Sequence, residues 1–321
     1  MENKKYEISK KLKDLGFPQL KDEAYGRYSD GKATMEGFNK EIMKIFIPQH
    51  TNQKIGGGWT FVNTFVKYSK DSIVDNADEA EVILISGATM VDREFMNSMK
   101  DAGKKIVLRV DNIPKNSRNR NTGTSRLKEF AQMADLVVYQ SHWAKKFLMP
   151  FLGKDGPVII NGADQEIFNT EGSKQPKEGA KQYVFVQYNR DETKEWHRAW
   201  YEFQMISRAN AGAHLWIIGR FSPEQEKYNF DFFMGEKYRY IGVVGPEDMA
   251  EYLRAADVLL LPYFNDACSN TLVEARACGV KEVWQNCTGG NLQIMNSPVN
   301  MLTAKRMVYE YMIEFNKLIN K

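Results

Sequence analysis

AADVLLLPYFNDACSNTLVEARACG, Ala255–Gly279, decides how the rest of the chain is read. Val258 to Leu261 is a short apolar run stopped by Pro262, the pattern of a buried strand. A polar loop of small residues follows, Asn265 to Thr271, and then a helical stretch, LVEARAC, ended by Gly279. A strand, a small-residue loop and a helix N-terminus in this order turn backbone N–H groups and the positive end of a helix dipole toward the loop, which suits an anion. Asp266 and Glu274 flank it. On this pattern alone two readings stay open: an ordinary βα unit with a solvated acid at each end, or an anion site with functional carboxylates.

The neighbouring sequence repeats the alternation. Upstream lie strand YVFVQY, a loop and long helix in NRDETKEWHRAWYEFQMISRA, strand HLWIIGR, an aromatic insertion SPEQEKYNFDFFMGEKY, strand RYIGVVG and helix PEDMAEYLRAA. Downstream, KEVWQNCTGG reads as a strand and a glycine turn, and MLTAKRMVYEYMIEFNKLIN has apolar residues at helical spacing. The polar linker TEGSKQPKEGAKQ, 170–182, marks a domain boundary. Before it, strands KIFIP, EVILIS, KIVLRV, DLVVYQS and PVIING alternate with helices WTFVNTFVKYS, DREFMNSMKDAG and TSRLKEFAQMA. Apolar strands separated by helices predict parallel sheets covered on both faces.

Two further stretches of the first half carry chemistry. Gly56, Gly57 and Gly58 lie where the first strand gives way to its helix, letting backbone pass close to a ligand. DNIPKNSRNRNTGTSR places Lys115, Arg118, Arg120 and Arg126 after a strand end, the edge of an open α/β sheet where ligands bind. An acceptor phosphate, a donor diphosphate or a nucleic-acid backbone would suit those cations; a solvated loop is the plain alternative.

Bulk properties narrow the classes. A 321-residue chain with 43% hydrophobic residues is globular and large enough for two domains. Its net charge of +3 is the small difference between 44 basic and 41 acidic residues, and by itself gives no warrant for nucleic-acid binding. Cys268, Cys278 and Cys287 show no CxxC spacing, and the four histidines are far apart, so neither a zinc site nor a disulfide framework is expected. No apolar run reaches membrane-spanning length, and MENKKYEISKK lacks a signal-peptide core, which points to the cytoplasm.

Taken together, AADVLLLP, the Asp266–Glu274 spacing and EARACG resemble the paired-acid motif of retaining nucleotide-sugar glycosyltransferases of the GT-B fold (glycosyl transferases group 1, family 4-like). NGADQEIFN resembles the turn that closes the N-terminal domain in that family, ADLVVYQSHWAKKFL the segment before it, and VDNIP its HD..P. The resemblance spans roughly Lys44 to Met295. It implies an α/β fold of two Rossmann-like domains facing a cleft, with an N-terminal helical arm and a C-terminal crossover helix. The boundaries expected are 1–42 for the arm, 43–169 for an acceptor domain, 170–300 for a nucleotide-sugar-binding domain, and 301–321 for a helix returning to the first domain.

The same resemblance implies roles. Asp266, Arg190, Lys194 and Asp111 would act at the reacting centre, the two cations offsetting charge on the leaving diphosphate. Glu274 would accept the ribose hydroxyls. Gly56, Gly57, Gly58, Arg220, Gly242, Val243, Ser269, Asn270 and Thr271 would complete the donor site, and the basic loop would meet acceptor or phosphate. No metal or cofactor is expected; the donor is a nucleotide diphosphate sugar, and the acceptor (glycan, lipid, protein or modified DNA base) is open. The chain departs from the family with Asp266 for Glu, Asn189 for Gly, a shorter Arg190–Lys194 gap, and Val110 for a histidine, with His50 at the end of the first strand as the candidate substitute. Two rivals remain: a transferase acting on modified bases of DNA, and a non-catalytic nucleotide-sugar-binding protein.

Overall fold

A computed structural model describes residues 43–48, 57–110, 121–187, 196–220, 237–262, 265–285 and 289–320. The expected N-terminal arm and all but the last two residues of the aromatic insertion, together with Gly56, His50, Asp111, Lys115, Arg118, Arg120, Arg190 and Lys194, lie outside them. Two parallel sheets form the frame, of four and five strands, as the alternation predicts.

The first sheet is β1 (Ile45–Phe46), β2 (Val82–Ile85), β3 (Lys105–Val110) and β4 (Leu136–Tyr139), in that spatial order. Helix α1 (Gly57–Tyr68) follows β1, after which Ile73 bridges back to Ile45 in parallel. The chain then crosses to β2 at the other side of β1. Right-handed crossovers in opposite directions put helices on opposite faces. Accordingly α1 covers one face, while α2 (Arg93–Asp101), α3 (Asn121–Met133) and α4 (His142–Leu152) cover the other.

The second sheet comprises β5 (Lys181–Gln187), β6 (Ala213–Gly219), β7 (Tyr238–Gly242), β8 (Val258–Leu261) and β9 (Glu282–Gln285), ordered β7-β6-β5-β8-β9. Helices α5 (Trp196–Ala209), α6 (Pro246–Ala255), α7 (Asn270–Ala277) and α8 (Asn291–Asn296) flank it. Strands buried on both faces must be apolar throughout, and Val258–Leu261 is buried at all four positions.

Helix α9 (Ala304–Ile319) packs on the first sheet. Its Met307, Val308, Tyr311, Met312 and Phe315 share one core cluster with Phe61 and Phe65 of α1 and with Ile45, Val82, Val107 and Val138 of the strands. The chain passes between the halves at two adjacent places. Ala163 N–H donates to Leu302 C=O (2.8 Å), and Ala304 N–H donates to Ala163 C=O (2.7 Å). Beside them a Cβ on Gly162 would overlap the Thr303 carbonyl, so only glycine allows this backbone approach.

Several elements differ from the sequence expectation. PVIING supplies only the Val158 bridge to Tyr139, because β4 gives way to α4 at its cap Ser141 and leaves no strand beside Ile159–Asn161; Arg306 of α9 donates to the carbonyls of Ile160 (2.8 Å) and Asn161 (3.3 Å). Helix α4 was not expected, although Ser141 caps it by accepting from Ala144 N–H (3.0 Å). The 170–180 stretch is irregular yet fastened to the second sheet's layer: Lys177 pairs with Asp257 (2.6 Å), and Arg254 donates to Ser173 C=O (2.8 Å).

The aromatic contact of α9 with α1 is open to test. Phe65 lies 5.5 Å from Tyr311 and 6.2 Å from Phe315, centroid to centroid, and is fully buried. Phe65→Ala should cost about 3–5 kcal/mol in urea unfolding. A loss under about 1 kcal/mol would contradict this packing.

Candidate functional site

In the second sheet the order reverses between β5 and β8, which pair directly (Tyr183↔Val258, Phe185↔Leu260). The chain leaves β5 for β6 on one side and β8 for β9 on the other. The crevice outside the carboxyl ends at such a reversal is where open α/β sheets bind ligands. The loop after β8 enters it carrying Asp266.

That loop is held in place from several directions. Asn265 has a positive φ of 54°, a conformation asparagine tolerates better than most residues. Asp266 Oδ1 accepts from Cys268 N–H (3.1 Å), and its carbonyl accepts from Gly290 N–H (2.7 Å). Gly289, with φ 85°, lies so close that a Cβ would overlap the Asp266 backbone. The glycine turn of the sequence reading is thus a clamp on the acid loop. Ser269 then caps α7, accepting from Leu272 N–H (3.3 Å), with Asn270 and Thr271 in the first helical turn.

Glu274 sits one turn into α7 rather than at its start. Among the described residues no group pairs with its carboxylate. The residue keeps partial exposure, but burial of the carboxyl without a partner pushes it up to about 7. Such a carboxylate has lone pairs available for hydroxyl donors. Burial pushes the free thiols of Cys268 and Cys278 up to about 12, which leaves them unreactive.

Polar groups from the first half meet α7 directly. Arg109, on β3, is 2% exposed. It donates to Ser86 C=O (3.1 Å), Gln140 Oε1 (2.7 Å) and Asn161 Oδ1 (3.1 Å), and lies 4.2 Å from the Phe61 ring centroid. Asn161 Nδ2 donates to Asn270 Oδ1 (2.7 Å), Gln140 Oε1 (3.0 Å) and Cys268 C=O (3.3 Å). Nearby, His142 N–H of α4 donates to Gln293 Oε1 of α8 (2.8 Å).

Among the expected site residues, Asp266, Ser269, Asn270, Thr271 and Glu274 fall together at the β8–α7 junction. Arg220 and Gly242 end the neighbouring strands β6 and β7 on the same sheet edge, with Val243 exposed beyond. Gly57 and Gly58 form the first turn of α1, where a Cβ on Gly58 would only touch Met90. Arg126 lies within α3, not in a loop. Val110, where the family has histidine, is fully buried in the first core, so this position contributes packing. Arg109, Gln140, Asn161 and Arg306 were not singled out from the sequence. One signal was present, since an arginine inside the apolar run KIVLRV must find partners when buried. Among the described residues no group of three His, Cys, Asp or Glu could hold a metal ion, and no helix is long and apolar enough to cross a membrane.

Comparison with known proteins agrees with this architecture. Residues 181–320 match the model of a family described as Glycosyl transferases group 1, so the second half carries a glycosyltransferase domain. No curated protein matches the chain in sequence. Among solved structures, HepE of Anabaena, in complex with UDP and glucose, is similar at TM-score 0.62 and 14% identity, over 87% of this chain and 92% of that one. Sucrose-phosphate synthase of Thermosynechococcus elongatus gives TM-score 0.57 and 13% identity over 87% and 97% of the two chains. AviGT4, a glycosyltransferase involved in avilamycin A biosynthesis, gives 0.56 and 12% over 87% and 98%. The fold is that of these GT-B glycosyltransferases.

The Glu274 environment predicts a pH dependence. Its carboxyl binds a proton more tightly folded, at about 7, than at the ordinary 4.5, so its ionisation destabilises the fold as pH rises through that window. Glu274→Gln should match the wild type near pH 4 and exceed it in urea midpoint at pH 8. A variant less stable than wild type at pH 8 would mean that the carboxylate has a stabilising partner.

Proposed function

We propose that the protein transfers a glycosyl unit from a nucleotide diphosphate sugar to an acceptor hydroxyl, with retention of anomeric configuration and without a metal. The observation that carries this reading is the β8–α7 junction: an unpaired carboxylate, Glu274, one turn into a capped helix at the reversal of sheet order, within the matched family segment. In this reading 43–169 forms the acceptor half, 170–300 the donor half, and 301–321 the returning helix.

Ionised Glu274 accepts the ribose hydroxyls. The amides of Ser269, Asn270 and Thr271 receive diphosphate or sugar oxygens at the positive end of α7. Gly242, Val243 and Arg220 border the base. Arg190 and Lys194 neutralise the leaving diphosphate, a task a metal performs elsewhere. In this reading Asp266 and Asp111 serve the sugar, Gly56, Gly57 and Gly58 the donor, and Lys115, Arg118, Arg120 and Arg126 acceptor or phosphate. The leaving diphosphate can itself take the acceptor proton. Buried free thiols at Cys268 and Cys278 are in keeping with a reducing cytoplasm.

UDP is the first nucleotide to test, because HepE is seen with UDP. A thermal-shift panel of UDP, GDP, ADP, CDP and TDP should find one that raises the melting temperature of the wild type and not of Arg190→Ala. At about one hundred times its Kd such a ligand adds about 2.7 kcal/mol. Binding should tighten as pH rises through about 7, as Glu274 ionises to accept hydroxyls. Turnover should survive EDTA, and the product should keep the donor's anomeric configuration by NMR. Failure of all five nucleotides to bind would overturn the reading.

A further inference from the structure

We propose that Arg109 and Asn161 are positioning residues that set the polarity of the Asn270 carboxamide, so that a ligand at the N-terminus of α7 meets N–H groups rather than an amide oxygen. The inference rests on the nucleotide-sugar reading for the nature of that ligand. The relay itself stands on geometry alone.

Arg109 is a buried cation whose partners are all neutral: Ser86 C=O, the Gln140 and Asn161 carboxamides, and the Phe61 ring. Among the described residues no carboxylate pairs with it, and its Nε has no partner. A guanidinium can only donate. Both carboxamides must therefore turn their oxygens toward it, and everything downstream follows. Gln140 is left with Nε2 facing away, which donates to Val110 C=O (2.7 Å). Asn161 is left with Nδ2 at the seam, where it donates to Asn270 Oδ1 (2.7 Å), Gln140 Oε1 (3.0 Å) and Cys268 C=O (3.3 Å). Asn270 is thereby oriented with its oxygen toward the first half.

The backbone of Asn161 is fixed independently. Arg306 of α9 holds the carbonyls of Ile160 and Asn161 while pairing with Glu310 (2.8 Å). One arginine sets where residue 161 lies and the other sets which way its amide faces. The uncompensated charge on Arg109 also polarises the chain of amides in one direction, toward positive potential at the helix N-terminus.

The test separates orientation from folding. Asn161→Asp keeps the size of the side chain and gives Arg109 a charged partner, which offsets the donors lost to Gln140 Oε1 and Cys268 C=O; a cooperative melt is the control that the fold is kept. The new oxygen faces Asn270 Oδ1 and Gln140 Oε1, and because Gln140 is held by Arg109 and Val110 C=O, the Asn270 carboxamide should flip to donate to it. In protein labelled with 15N-asparagine and free of ligand, the Asn270 side-chain NH2 signal, assigned by its loss in Asn270→Ala, should shift and exchange more slowly with solvent. In nucleotide titrations Asn161→Asp should weaken diphosphate binding by about tenfold. That loss should vanish in the Asn270→Ala background, as a shared pathway requires. Arg109→Lys, which keeps donors, should retain more binding than Arg109→Met. An unshifted Asn270 signal, or unchanged diphosphate affinity beside a wild type that binds, overturns the proposal. If the signal shifts but the wild type binds none of the five diphosphates, the relay stands and the nucleotide-sugar reading fails.

Discussion

A parallel sheet needs cover on both faces, and the first sheet draws part of its cover from the far end of the chain. Among the described residues, helices α2, α3 and α4 fill one side, while α1 lies on the other, above Ile45, Val82, Val107 and Val138. The remaining apolar surface is closed by α9, from the far end of the chain. Burial of side chains such as Tyr311 and Phe315 contributes about 1.5–3 kcal/mol each. That hydrophobic requirement joins the halves.

Once the halves are joined, polar chemistry is forced on the seam. A backbone turn that leaves one core for another exposes carbonyls to a dry interior, and each must be matched. Arg306 answers for two of them, and the Arg109–Asn161 pair reaches through the seam to α7. The acid loop is framed by similar means, with Gly289 and Gly290 lying against its backbone. By contrast Glu274 is left unmatched, which raises its proton affinity and makes it receptive to hydroxyl donors. A held loop beside a carboxylate with no partner among the described residues is an arrangement suited to ligand recognition.

Much of this was legible in the residues. Apolar runs such as KIVLRV and VLLL carry their strand identity in composition alone, and Pro262, Ser269 and Gly279 mark where elements stop or start. The β8–α7 junction was readable because it is built from local order: strand, small loop, capped helix. What escaped was non-local. PVIING stays short because its partner β4 turns into α4 at Ser141, and its carbonyls at Ile160 and Asn161 are met by Arg306 from far along the chain. Asn161 looked like part of a turn motif because its partners, Arg109 and Asn270, come from opposite halves. Val110 reads as a missing catalytic group in the sequence and as core packing in the fold, since alternation along β3 turns Leu108 and Val110 into one core and Arg109 away from it.

The two passages between the halves, at Ala163 and at Thr303, lie side by side and exchange backbone hydrogen bonds, with Gly162 pressed against the Thr303 carbonyl. The backbone continuity of the two halves is therefore gathered at a single knot, Ala163–Thr303. Asn161, which joins Arg109 to Asn270, sits two residues from that knot, so the polar link between the halves is anchored where the chain itself crosses.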